Sequence, residues 1–246
     1  MFLTKPIKGF KLLKKLLLLA AFIIFFLYGL AVGHYHIFPF EQVQTAKNLI
    51  SKSDYTTSFI KTPYYLHKTT FFELNHRDEY DVVFVGDSIT DNSDWNEIFT
   101  DISVANRGIS GDTTAGVLNR MNTITNTKAK QAFIMIGTND IMTNGDVNVI
   151  FDNYVKILNE LQSKNIKPIV QSTLLTYNKP PSQNSTINQL NARLKDYCSE
   201  KGITYVDLNK HLSANGELDN KYSSDGLHLN GQGYAVWSKV ISKYIL

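Results

Sequence analysis

One cysteine, Cys198, is all that 246 residues contain. A single thiol cannot close an intrachain disulfide. No CxxC or HExxH spacing occurs, and the six histidines do not gather around the cysteine, so a bound metal is not expected and no cofactor is implied. Cys198 itself falls on the apolar face of an expected helix with Ile187, Leu190, Leu194 and Tyr197, the setting of a core thiol. Charge of one sign is scarce too. Twenty-five Lys and Arg stand against 22 Asp and Glu, a net charge of +3. Five of the lysines (Lys5, Lys8, Lys11, Lys14 and Lys15) precede residue 16, so the remainder is slightly acidic and offers no case for nucleic acid. Internal repeats and low-complexity linkers are missing. With 43% hydrophobic, 12% aromatic and 19% charged residues, the composition is globular. The length suits one domain with a full core plus something extra.

The extra part is at the N-terminus. After the lysines, "LLLLAAFIIFFLYGLAVG" runs from Leu16 to Gly33 without a charge. At ~1.5 Å per residue these residues span ~27 Å, about the hydrocarbon thickness of a bilayer. No polar face exists for a buried core helix to turn toward water. Lysines on one flank only predict a cytoplasmic N-terminus with everything after Gly33 outside. A cleaved signal peptide is the rival reading. Ala31-Val32-Gly33 is a tolerable cleavage site, but the apolar run is longer than such segments usually are, which favours an anchor. Both readings place the rest of the chain outside the cytoplasm. The expected organisation is a basic cytoplasmic N-terminus over 1–15, a transmembrane anchor over 16–33, a connecting region over 34–78 and a globular domain over 79–246. In the connecting region "FEQVQTAKNLISK" suits a short amphipathic helix, and the aromatic-rich "YYLHKTTFFEL" suits packing on the domain or near the membrane.

From Asp81 onward the pattern alternates. "DVVFVG", "ISVANRG", "QAFIMIG", "KPIVQSTLL" and "ITYVDLN" read as short strands, the apolar runs among them as strands buried on both faces. Between them lie helical spacings. Val117, Leu118, Met121 and Ile124 share one stripe. Val147, Ile150, Tyr154, Ile157, Leu158 and Leu161 share another. A helix over 185–201 and a last one carrying Tyr234, Trp237, Val240, Ile241 and Tyr244 complete the series. Such alternation predicts an α/β fold, a central parallel sheet with helices on both faces. Ligands bind such sheets beyond the carboxyl ends of the strands.

Four polar segments fall at that edge: "GDS" after the first strand, "NRGISGDTT" after the second, "GTND" after the third, and "DGLHLNGQGY" just before the last helix. Singly, each has an ordinary explanation as a turn or a cap. Together they supply what acyl transfer needs. Ser88 is a hydroxyl nucleophile that requires a base. His228 is the candidate base, and Asp225 stands three residues earlier to hold its tautomer. The Ser88 N–H, the Gly111 N–H and the Asn139 amide are candidate donors to a developing oxyanion. Asp87 and Asp140 read as loop braces, and Arg107 and Arg120 as structural partners of acidic neighbours. His34, His36, His67, His76 and His211 show no partner pattern.

"VFVGDSIT", "NRGISGDTT", "IGTND" and "DGLHLNGQGY" resemble the four signature blocks of the SGNH hydrolases, or GDSL esterases/lipases, over about residues 80 to 246. "GISGDTTAGVLNR" is most similar to the platelet-activating-factor acetylhydrolase-like branch. The resemblance implies a flavodoxin-like three-layer α/β/α fold. It also implies Ser88 as nucleophile with Asp225 and His228, and Gly111 and Asn139 in the oxyanion hole. The expected protein is a membrane-anchored, extracytoplasmic serine esterase acting on short acyl or acetyl esters of cell-envelope glycans. A lysophospholipase or other lipid esterase, or an O-acyltransferase using the same triad, are the alternatives. "LLTYNKPPSQNS", Leu174 to Ser185, is expected to form one wall of the site.

Overall fold

The computed structural model describes residues 8–35, 38–39 and 59–246. The expected helix in "FEQVQTAKNLISK" lies outside the described residues. The chain divides between residues 51 and 52 into two compact units. In the first, one helix runs over Lys8–Tyr35, 28 residues. Its stretch Leu13–Tyr35 has a mean hydropathy of 2.6 and is long and apolar enough to cross a membrane. The large apolar side chains of that stretch are exposed, Phe22 at 77% and Phe25 at 75%.

The second unit is built on a five-stranded parallel sheet: β1 (Val82–Gly86), β2 (Val104–Gly108), β3 (Gln131–Met135), β4 (Lys167–Gln171) and β5 (Thr204–Val206). The order is β2-β1-β3-β4-β5, the doubly wound, flavodoxin-like arrangement. Val82 pairs with Val104 on one side and Gln131 on the other. All of β1 and β3 is buried, because both faces of the sheet are covered. The two-residue period of a strand sorts β1 between two cores. Val83 and Val85 join Ile134, Ile157, Leu158 and Leu194 beneath the helices Val147–Ser163 and Pro181–Lys201. Val82 and Phe84 join Phe133, Trp95 and Trp237 on the opposite face, beneath the helix Gly231–Ile241. There the Phe84 ring stacks on Trp95 at 4.0 Å, and Trp237 meets Trp95 edge-on at 4.7 Å. Three layers result, as expected.

Some elements differ from the expected ones for local reasons. The single helix expected through "TTAGVLNRMNTI" is two, Thr114–Asn119 and Met121–Thr125. They break at Arg120, whose backbone leaves the helical region while its buried side chain reaches Asp112 and the carbonyls of Gly86 and Arg107. The helix expected at 185 begins at Pro181, where proline is tolerated in the first turn. A hairpin pairs Ser213–Ala214 with Glu217–Leu218. Its turn is Asn215-Gly216, both with positive φ, as a two-residue hairpin turn requires. The aromatic "PYYLHKTTFFEL" forms a helix, Pro63–Leu74, started by Thr62, whose side chain accepts from the Tyr65 N–H. It buries Tyr65 and Phe72 on the sheet-bearing unit, with Phe59 and Ile109. The Arg107 guanidinium lies 4.5 Å over the Phe72 ring.

Candidate active site

The winding of the sheet reverses between β1 and β3, and a crevice opens at the strand ends beyond such a switch point. Ser88 follows β1, and Asn139 follows β3. Gly86 and Gly108 end their strands because nothing larger fits. A Cβ on Gly86 would lie 2.1 Å from Thr90 Oγ1, and one on Gly108 2.3 Å from the Asp91 amide nitrogen. The glycines therefore let the short turn Ser88–Asp91 fold back onto the sheet edge. Asp87 starts that turn, accepting the Ile89 N–H at 3.0 Å, and leaves Ser88 half-buried at the crevice.

His228 reaches Ser88 from 140 residues downstream, with 2.9 Å between Nε2 and the Ser88 Oγ. On the other side of the ring, Nδ1 is 2.7 Å from Asp225 Oδ2. The remaining Asp225 oxygen accepts the backbone N–H groups of Leu227 (2.9 Å) and His228 (2.8 Å). Partial desolvation raises the Asp225 carboxyl, but the hydrogen bonds from His228 and Leu227 outweigh it and hold the group well below the usual carboxylate range. An ionised Asp225 only accepts, so Nδ1 carries the hydrogen and Nε2 is left to accept from the Ser88 hydroxyl. The loop is closed by Ser223, whose hydroxyl oxygen accepts the Gly226 N–H at 2.9 Å.

Gly111 stands in a turn closed by the Asp112 N–H donating to Ile109 O (3.0 Å). Its φ of +88° is the left-handed conformation that the third position of a type II turn demands. The Ile109 N–H donates to Gly86 O (3.2 Å), which docks the turn beside the Ser88 segment. Asn139 Nδ2 donates to Asp112 O at 2.9 Å, tying the end of β3 to the same turn. Asn139 does not cap its helix. Gly137 occupies the cap of Thr138–Met142 without a side-chain bond. An amide has two N–H groups, so the bond to Asp112 leaves the second for a ligand. The five residues singled out in the sequence thus come from four separate segments. Ser88, His228 and Asp225 form a continuous hydrogen-bonded line, and Asn139 is bonded to the turn that holds Gly111.

Arg107, expected beside an acidic neighbour, instead donates to the carbonyls of Thr123 (3.0 Å) and Asn106 (3.1 Å). The other braces are as expected. Arg120 Nε and Asp112 Oδ2 pair at 2.7 Å, both buried. Asp140 accepts from the Thr114 N–H and hydroxyl. Burial pushes Asp87 up to about 7, with the carboxylates of Asp112 and Asp140 adding to it. Burial pushes Asp112 up to about 6 against the pull of Arg120. His34, His67, His76 and His211 are exposed, and His36 lies outside the described residues. Among the described residues, no group of three or more His, Cys, Asp or Glu could hold a metal ion. The segment 174–185 packs against the loop that carries Asp225. The Tyr177 N–H donates to Gly226 O at 2.8 Å, and Asn184 closes the loop through both polar atoms on Thr176. Ser223 and Asp91 are supporting residues that no motif marks. Asp91 had one signal, its place three residues after Ser88 on the same turn.

The GDSL-like Lipase/Acylhydrolase family model matches residues 84–236. The chain belongs to this family. Platelet-activating factor acetylhydrolase IB subunit alpha2 of Homo sapiens is 31% identical over 195 residues, 71% of this chain and 80% of that one. A GDSL-like lipase from Bacteroides thetaiotaomicron is similar in structure, with a TM-score of 0.65 and 26% identity over 74% of this chain and 97% of that one. An N-acylneuraminate cytidylyltransferase of Streptococcus agalactiae is 31% identical over 126 residues, 51% of this chain. The match spans 30% of that relative's length. The matched domain is that of a GDSL acylhydrolase, an ester hydrolase.

Proposed function

We propose that this GDSL hydrolase is a membrane-anchored, extracytoplasmic serine esterase that removes short acyl groups, acetyl foremost, from cell-envelope glycans. The observation that carries the chemistry is the hydrogen-bonded line from Ser88 through His228 to Asp225. In this reading Ser88 Oγ attacks the ester carbonyl while its proton passes to His228 Nε2. The oxyanion is met by the Gly111 N–H, the second Asn139 amide N–H and the Ser88 N–H. Collapse breaks the bond to the alcohol oxygen, which takes the proton from His228. Water then repeats the sequence on acyl-Ser88 and releases the acid. Asp225 stays ionised and steadies the imidazolium.

The glycan reading is supported by the polarity of the wall beside the Asp225 loop. A cavity of about 150 Å³ there is lined by Tyr177, Asn215, Glu217, Asp219 and Asn220 among others. A second, of about 450 Å³, lies across the hairpin with Asn188, Asn191, Lys195 and Asp207 in its lining. Amides and carboxylates around an aromatic ring suit a hydroxyl-rich ligand. One relative carries a sugar, N-acylneuraminate, in its name. A lipid ester is the second reading, favoured by the acetylhydrolase relative and by a tether at the bilayer. Anchoring rests on the helix Leu13–Tyr35 with lysines upstream, an arrangement that favours a cytoplasmic N-terminus.

The test is acid release by the full chain, in detergent or vesicles, from aryl acetate, longer acyl esters, lysophospholipid and O-acetylated glycan, with and without a glycan acceptor. Acetate release from the glycan, abolished in Ser88→Ala and His228→Ala, is the expected result. If correctly folded Ser88→Ala kept more than a few per cent of wild-type turnover, the nucleophile would be another group. Transfer to the acceptor instead of water would make the protein an acyltransferase.

A further inference from the structure

The turn that presents Gly111 is held by a helix lying upstream of the matched family domain. Asp91 is the link. Its Oδ2 accepts from the Ser110 N–H (3.0 Å) and the Ser110 hydroxyl (2.9 Å). Its Oδ1 is 2.6 Å from Lys68 Nζ, and the Tyr64 hydroxyl donates to Oδ2 as well. Lys68 and Tyr64 both belong to the helix Pro63–Leu74. The Asp91 side chain is only 5% exposed. Desolvation works against its charge, but the hydrogen bonds from Lys68 and Tyr64 outweigh it and keep the carboxyl below its ordinary range. From the other side the Phe59 ring packs on Gly111 so closely that a Cβ there would lie 2.7 Å from a ring carbon.

Ser110 and Gly111 are the two central residues of the Ile109–Asp112 turn. Type I and type II turns differ in which way the peptide between those residues faces. That peptide contains the Gly111 N–H. A group that grips Ser110 at both its amide and its hydroxyl anchors the residue from which that peptide starts, and so constrains where the Gly111 N–H points. We propose that Asp91 is a positioning residue for the oxyanion hole, and that Lys68 and Tyr64 act through it, so the helix Pro63–Leu74 sets catalytic competence. The inference rests on the assignment of the Gly111 N–H to that hole. Neither Asp91 nor its partners touch the reacting atoms. A purely structural brace would show as lost stability or weaker substrate binding. A positioning role shows in kcat, because the oxyanion exists only on the way to the tetrahedral intermediate.

The experiment compares Asp91→Asn, Lys68→Met and Tyr64→Phe in the full chain, with aryl acetate as substrate and a fluorophosphonate as a label for Ser88. Losing an oxyanion donor outright costs roughly 100- to 1,000-fold, so a misdirected one should cost about tenfold or more in kcat. The expected result for Asp91→Asn is that loss, with KM within about threefold of wild type and Ser88 labelling slowed by a similar factor. Lys68→Met should lower kcat less, and the double variant should be no worse than Asp91→Asn alone, since both act on one link. Folded variants with unchanged kcat, or a loss confined to KM, would overturn the proposal. Should Asp91→Asn fail to fold, Lys68→Met and Tyr64→Phe, which keep the carboxylate, decide the matter by the same readout. Failure of the serine-esterase reading looks different: Ser88→Ala would remain active whatever these variants do.

Discussion

Replacing Asn139 with aspartate separates binding, turnover and stability at one position. The side chain makes one bond in the structure and has a second, proposed role in catalysis. One amide N–H holds the Asp112 carbonyl at 2.9 Å, and the other is available to a developing oxyanion. The introduced carboxylate, ionised at neutral pH, would have neither hydrogen and would set a negative charge against both the Asp112 carbonyl and the transition state. The structural bond is worth about 0.5–1.5 kcal/mol net. At roughly 2–4 °C per kcal/mol for a domain of this size, its loss lowers the melting temperature by roughly 1 to 6 °C, and repulsion adds to that. The catalytic loss is larger, ~3–4 kcal/mol or 10²–10³ in kcat, because the donor acts where charge appears. KM should move far less, since the ground-state ester has no full charge to stabilise. Asn139→Ala is the companion, with the hydrogen bonds gone and no added charge. It should lose a similar factor in kcat at a smaller cost in melting temperature. Steady-state kinetics on aryl acetate and thermal melts of the three proteins test this. A folded Asn139→Asp that turns over within about threefold of wild type would remove Asn139 from the oxyanion hole.

Two further variants probe the buried charges behind the site. Arg120→Met strands Asp112, its fully buried partner at 2.7 Å. Removing one member of such a pair costs about 3–5 kcal/mol, so the melting temperature should fall by roughly 6 to 20 °C. A drop of a degree or two would mean that the pair is not holding the turn. Asp87→Asn should change the pH dependence of stability. Burial pushes Asp87 up to about 7, above its value in an unfolded chain, so folding takes up a proton. Its favourable contribution is complete below about pH 4 and is lost as the pH rises through 7. Asparagine can still accept the Ile89 N–H and never ionises. Melts from pH 5 to 8 should therefore show a shallower decline for Asp87→Asn than for wild type, and identical slopes would refute the raised value.

Periodicity and strand-edge placement were enough to read the sheet, its helices and the edge that carries the candidate site from the chain. Val83 and Val85 had to face one core and Val82 and Phe84 the other, because side chains alternate along a strand. Ser88 after β1 and Asn139 after β3 had to lie on one edge, because neighbouring parallel strands end there together. Gly86, Gly108 and Gly111 were visible as residues, but their reason was not. Gly86 is approached by the Met135 carbonyl, Gly108 by the Asp91 backbone, and Gly111 takes a left-handed conformation, none of which is written in local pattern. The same applies to the break at Arg120, which follows from where its guanidinium finds Asp112 and two carbonyls. The helix Pro63–Leu74 was legible as an aromatic stretch suited to packing. Only the tertiary structure decided that its Lys68 and Tyr64 would converge on Asp91 and, through Ser110, on the turn of Gly111. Local sequence determines which groups a segment can offer. Which groups from separate segments share one carboxylate is settled by how the elements pack.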